Sequence, residues 1–181
     1  MNPEQEVARS QKRMGLGMLA LAWVVIIGLV GWFFNDMLAA RVNPNSNVAS
    51  SLGADGVREV VLQRNRYGHY VASGEINGQP VTFMLDTGAT GVAIPPRIAS
   101  QLGLRRGMAY QSETANGSTL SYATQLERVA LGDIVMQEVP AAIVTGMEFE
   151  QVLLGMTFLK HIEFSQRGDQ LTLRQYPQAN R

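Results

Sequence analysis

The chain has 181 residues, 15 basic against 15 acidic, and no cysteine. That length holds one ordinary domain plus an appendage. Balanced charge without a basic stripe argues against nucleic acid as a partner, and the lack of thiols excludes disulfide frameworks, thiolate metal sites and a cysteine nucleophile.

Residues 14–34 (MGLGMLALAWVVIIGLVGWFF) carry no charge. As a helix this run spans roughly 31 Å, about the thickness of a bilayer's hydrocarbon core. Arg9, Lys12 and Arg13 precede it and Asp36 follows it. The positive-inside rule then leaves residues 1–13 in the cytoplasm and sends the rest across the membrane. A cleaved signal peptide is the rival reading, because MLAAR at 37–41 offers small residues. The apolar run exceeds the about 7–15 residues of such segments, which favours an uncleaved anchor. Residues 35–56 are rich in Asn, Ser, Ala and Gly, which predicts a flexible tether with little to bury.

Beyond the tether, residues 57–176 read as short strands punctuated by turns. Strands are predicted at 57–63, 69–76 and 79–85, with Asn77-Gly78 as the hairpin turn between the last two. Pro95-Pro96 and Gly103 bracket a short helix. A second Asn-Gly, at 116–117, lies within a polar hairpin at 108–120, and further strands are expected at 121–131, 134–138 and 141–145. The tail holds VLLGMTFLKHIEFS at 152–165, a Gly168-Asp169 turn and a last strand. About nine strands with one or two short helices predict a mostly-β domain, closed or sandwich-like.

Most catalytic chemistries lack their residues here. His69 and His161 are the only histidines and are not at metal-ligand spacing. There is no G-x-S-x-G and no glycine-rich phosphate loop. We expect no metal and no cofactor. What remains is FMLDTGATGVAI at 83–94, where an apolar strand runs into Asp86, a turn of small residues follows, and a second apolar run leaves. A carboxylate at the end of a buried strand is expected to be partly desolvated, and so expensive to ionise unless partnered. Gly88 lets another backbone or another subunit approach closely, and Thr87 supplies a hydroxyl for such an approach. Two carboxylates that meet share one proton. One can then deprotonate a water while the other polarises a carbonyl, the chemistry of amide hydrolysis by paired acids. The bland alternative is an aspartate that bonds the amides of its own turn.

Asp86-Thr87-Gly88-Ala89 resembles the active-site motif of the retroviral-type, or retropepsin-like, aspartic proteases. Leu153-Leu154-Gly155 resembles that family's second signature, which packs behind the catalytic turn. The order of strand, Asp-Thr-Gly-Ala, short helix, Asn-Gly hairpin and Leu-Leu-Gly is similar to a membrane-anchored bacterial group of the family. The resemblance implies a closed β-barrel of the retropepsin type, with Asp86 catalytic and Thr87, Gly88 and Ala89 forming the active-site turn. It also implies that the hairpin tip Ala115-Asn116-Gly117 is a flap. Met156 stands where the retroviral enzymes usually carry an arginine. With a single Asp-Thr-Gly in the chain, a working dyad requires a second subunit and an isologous homodimer. The implied protein is an endopeptidase acting on peptides or proteins, held by its N-terminal helix in a bacterial inner membrane. Its protease domain would be periplasmic or extracellular. A reading of a different class keeps the fold without the activity, as a peptide-binding or scaffolding module.

Overall fold

The computed structural model describes residues 3–114 and 117–177. The chain divides into two compact units, Met1–Ala39 and Ala40–Arg181. The first is helical: α1 runs over Pro3–Val42. Its Gly17–Val42 portion, whose apolar 18-residue stretch has a mean hydropathy of 2.3, is long and apolar enough to cross a membrane. Residues 17–34 are all exposed, and a helix that is apolar on every side suits a lipid environment. The helix continues past the predicted end at 34, because Met37, Leu38, Ala39 and Ala40 are strong helix formers.

In the second unit, the span predicted as a tether holds the last residues of α1, an Asn-rich turn and strand β1 (Ala49–Leu52). Composition missed the anchor, Asn45, which is only 4% exposed. Its amide donates to the carbonyls of Gln63 (2.9 Å) and Val71 (2.7 Å), and its Oδ1 accepts from the Gln63 N–H (2.7 Å). One polar side chain thus satisfies backbone groups that would otherwise be buried without partners.

The next strands, β2 (Arg58–Gln63), β3 (Tyr70–Ile76) and β4 (Gln79–Leu85), fall within a residue of their predicted ends. Asn77 and Gly78 both take positive φ, 51° and 76°, the pair a type I′ hairpin turn needs. After β5 (Val92–Ile94), α2 (Pro96–Gln101) starts on a proline that has no N–H to leave unbonded. Then come β6 (Ala109–Thr114), β7 (Gly117–Leu131) and β8 (Ile134–Val144). Two predicted breaks are absent. The chain runs through 120–121 without interruption in β7, and the strands expected at 134–138 and 141–145 are one strand. Pro140 stays in register with Gln125, and the distortion falls on Glu138, at φ 53°. The chain closes with β9 (Val152–Leu154), α3 (Met156–Leu159), β10 (Glu163–Arg167) and β11 (Gln170–Gln175).

The strands form a four-stranded sheet in the order β1-β2-β11-β10 and a seven-stranded sheet in the order β3-β4-β9-β5-β8-β7-β6. The domain is therefore mostly β, as predicted. Strands β3 and β7 also pair through Glu75–Ala130 and Ile76–Val129. Alternation places Val60 and Leu62 of β2 opposite Leu173 and Leu171 of β11, all buried, while Glu59 and Arg174 point the other way. These side chains join Phe83, Ile94, Leu126, Ile143, Leu154 and Phe158 in one core. Burial stabilises each large side chain by about 1.5–3 kcal/mol.

Candidate functional site

Strands β4 and β9 run parallel in the register Phe83–Val152, Met84–Leu153, Leu85–Leu154. Both end at the same level, so Asp86 and Gly155 leave the sheet side by side. The Asp86 N–H donates to the Leu154 carbonyl (3.3 Å), and the Ala89 N–H donates to the Asp86 carbonyl (3.2 Å). Asp86 Oδ1 accepts from the Gly88 N–H at 2.8 Å, so the local bond of a tight turn is made and orients the carboxylate.

The expected desolvation is not present within the chain. Leu85 is buried, but Asp86, Thr87 and Gly88 are exposed and Ala89 is half-buried. The strand carries its apolar side chains into the core up to Leu85, and the turn then lifts the backbone out of it. A cavity of about 710 Å³, lined by Arg58, Glu138, Thr157, His161 and Tyr176 among others, meets this region only through Thr157.

Gly155 is required by space rather than by torsion, since its φ of −95° suits any residue. A Cβ there would meet the carbonyl oxygens of Gly91 and Ala89. The residues that follow hold the turn from behind. The Met156 N–H donates to the Ala89 carbonyl (2.9 Å) and the Thr157 N–H to the Thr90 carbonyl (3.2 Å). Thr157 Oγ1 accepts from the Val92 N–H at 3.0 Å. The structure therefore brings Leu153-Leu154-Gly155 against Asp86-Thr87-Gly88-Ala89, with Leu154 buried and Leu153 half-buried opposite Ala93 of β5. At position 156 it is the backbone N–H that bonds the turn. Thr157 was absent from the predicted site. Its signal was a lone hydroxyl two residues past the glycine in an otherwise apolar LLGMTFL.

The third predicted element is the β6–β7 hairpin, paired from Ala109–Tyr122 to Thr114–Gly117. Ala115 and Asn116 lie outside the described residues. Gly117 has φ 101°, and its carbonyl accepts from Thr114 Oγ1 at 2.7 Å. The hydroxyls of Ser112 and Ser121 lie 2.6 Å apart between the arms, with Ser121 fully buried. Near the base, the Leu120 carbonyl accepts from both the Thr145 N–H (3.1 Å) and Thr145 Oγ1 (2.8 Å).

Residues 72–161 match the family described as "gag-polyprotein putative aspartyl protease". That segment begins in β3 and ends just past α3, so it contains both the Asp86 turn and its Gly155 support. The chain is 28% identical to an uncharacterized protein in the cobV 5′ region of a Sinorhizobium species, over 93% of this chain and 78% of that one. It is 25% identical to the uncharacterized protein RP867 of Rickettsia prowazekii, covering 82% of this chain and 64% of the relative. The crystal structure of a retropepsin-like aspartic protease from Rickettsia conorii superposes with a TM-score of 0.56 at 24% identity. That match covers 71% of this chain and 94% of the other, and it shows the fold. The class defined by fold and turn is that of the aspartic proteases. Within it, the chain belongs to the retropepsin-like family.

Proposed function

We propose that the protein is a membrane-anchored aspartic endopeptidase whose dyad is Asp86 from each of two subunits. The observation that carries this reading is a carboxylate that is both fixed and open. Asp86 sits on a turn bonded from behind by residues 155–157, yet it is exposed. Among the described residues no cation pairs with it. A second copy related by a two-fold axis would present the same turn and would supply the desolvation that one chain does not.

In such a dyad the two carboxyl groups hold one proton between them. The ionised Asp86 takes a proton from a water, whose oxygen attacks the peptide carbonyl carbon, while the protonated Asp86 donates to the carbonyl oxygen. Collapse of the tetrahedral intermediate returns a proton to the departing amine and restores the shared proton. An extended substrate would lie under the β6–β7 hairpin and add a strand through main-chain hydrogen bonds. We read the short β3–β7 pairing as the seam of the expected barrel. We read α1 as an uncleaved single-pass anchor, with a cytoplasmic N-terminus and the domain on the far side of a bacterial inner membrane.

The test is hydrolysis of a fluorogenic peptide library by the full-length chain in detergent, wild type against Asp86→Asn. Asparagine keeps the acceptor for the Gly88 N–H, so the melting temperature should hold. Hydrolysis should fall by on the order of 10³-fold or more. Equal rates in the two proteins would remove the assignment.

A further inference from the structure

We propose that the β2–β3 turn, residues 64–69, docks on anionic phospholipid headgroups of the membrane that holds α1. This rests on the anchor reading above and adds a second, charge-dependent contact with the bilayer. The observation that carries it is a bond between the turn and the end of the apolar helix. Asn65 is buried, and its Nδ2 donates to the carbonyl of Val42, the last residue of α1, at 2.9 Å. Its Oδ1 accepts from the N–H groups of Tyr67 (2.9 Å) and His69 (3.0 Å). One side chain therefore shapes the turn and ties it to the helix end. The chain leaving the helix is fastened at once. Asn43 Nδ2 donates to Ser73 Oγ at 3.0 Å, and the Asn45 carbonyl accepts from the Ser73 N–H at 3.0 Å.

The uncharged run ends at Phe34, which an anchor places at the edge of the hydrocarbon. Residues 35–42 continue the helix for about 12 Å, against roughly 5–8 Å of headgroup on each side of a bilayer. Val42 then stands at the outer margin of the headgroups, and any tilt of the helix lowers it. What the turn presents at that height suits a phosphate surface. Arg66 and Tyr67 are both exposed, Tyr67 at 58%, and the guanidinium carbon of Arg66 lies 4.8 Å from the ring centroid. Tyrosine rings collect at membrane interfaces, and the arginine fork matches phosphate oxygens.

Arg41, one residue before the helix end, is exposed as well. Among the described residues neither Arg41 nor Arg66 pairs with a carboxylate. Asp169 is spent on Arg64, 3.6 Å away, and Asp36 lies more than a turn before Arg41 on α1. The free charge at the turn is therefore positive. One or two arginines attract a charged surface weakly in solution, but the anchor makes this encounter intramolecular.

The chain has no cysteine, so a fluorophore on His69→Cys, an exposed position of the turn, labels one place. The full-length labelled chain goes into nanodiscs of phosphatidylcholine, or of equal parts phosphatidylcholine and phosphatidylglycerol. Both carry a trace of lipid with a nitroxide on its headgroup, which quenches the fluorophore on contact. Quenching should be stronger with phosphatidylglycerol and should lose that excess in high salt. Arg66→Gln should lower the docked-to-undocked ratio by roughly five-fold, whereas Arg66→Lys should keep most of it. Tyr67→Ser should weaken quenching in both lipid mixtures. Equal quenching in the two mixtures, or an excess that survives Arg66→Gln, would overturn the proposal. Alkaline carbonate separates this failure from failure of the anchor. A chain that carbonate strips from membranes has no anchor, and the docking falls with it. A chain that resists carbonate yet ignores lipid charge keeps its anchor and loses only the docking.

Discussion

The turn at 86–92 and the hairpin of β6 and β7 are both built of small and polar residues with glycines, yet their backbone bonds go to different places. The turn is bonded to residues far along the chain: Leu154, Met156 and Thr157. The upper part of the hairpin pairs with itself, Thr114 to Gly117 and Glu113 to Ser118, and is fastened to the rest of the sheet near Leu120. The glycines differ in the same way. Gly155 has no room for a side chain, whereas a methyl added at Gly117 would meet nothing within 4 Å but would sit on a φ of 101°. One region is fixed by tertiary packing and the other by local pairing. Under the proposed function, the fixed region carries the carboxylate and the locally paired hairpin is the cover that admits a polypeptide.

Substitutions can break that contrast. The largest effect should come from Gly155→Ala, because the added methyl meets backbone carbonyls that cannot swing aside. A loss of about 3 kcal/mol or more is expected, read as a lowered denaturation midpoint, and a near-normal midpoint would mean that the turn is not held from behind. Thr157→Val keeps the shape and removes the acceptor of the Val92 N–H. Its expected cost is about 1–3 kcal/mol, with faster amide hydrogen exchange at Val92 as the signature. Gly117→Ala strains a left-handed position in open space and should cost about 1–2 kcal/mol, with little change in exchange around 86–92.

The smallest effect is a pH dependence at Tyr176. Its hydroxyl donates to Glu163 at 2.8 Å. That hydrogen bond, and then the negative charge of Glu163, raise the phenol above its ordinary range. A group with a raised folded pKa stabilises the fold fully below its unfolded value, about 10, and loses that contribution as pH rises through the folded value. Phenolate absorbance should therefore appear at higher pH in the wild type than in Glu163→Gln.

Local rules recovered the local features of this molecule. The Asn77-Gly78 turn, the proline at the start of α2 and strand β2 are set by neighbours in sequence, and each stands within a residue of where it was expected. What sequence reasoning missed depends on distant partners. Asn45 looked like tether composition until the carbonyls of Gln63 and Val71 came into reach. The gap expected at 139–140 is bridged in one strand, with the distortion taken up at Glu138. Asp86 was expected to be partly buried because the strand feeding it is apolar, but burial ends one residue earlier, at Leu85. Leu153-Leu154-Gly155 could be paired with the Asp86 turn through resemblance. The reason for it, parallel strands ending together, is visible only in the fold.

The central claim is that each active site is shared by two chains, and subunit mixing tests it most directly. Full-length wild type at a dimer-forming concentration is mixed with an equal amount of Asp86→Asn chain, and peptide hydrolysis is followed to equilibrium. If one Asp86 is needed from each subunit, random pairing leaves about a quarter of all dimers wild type, and the activity falls to about half its unmixed value. Activity unchanged by the added Asp86→Asn chain would mean that each wild-type chain works alone, and would contradict the account.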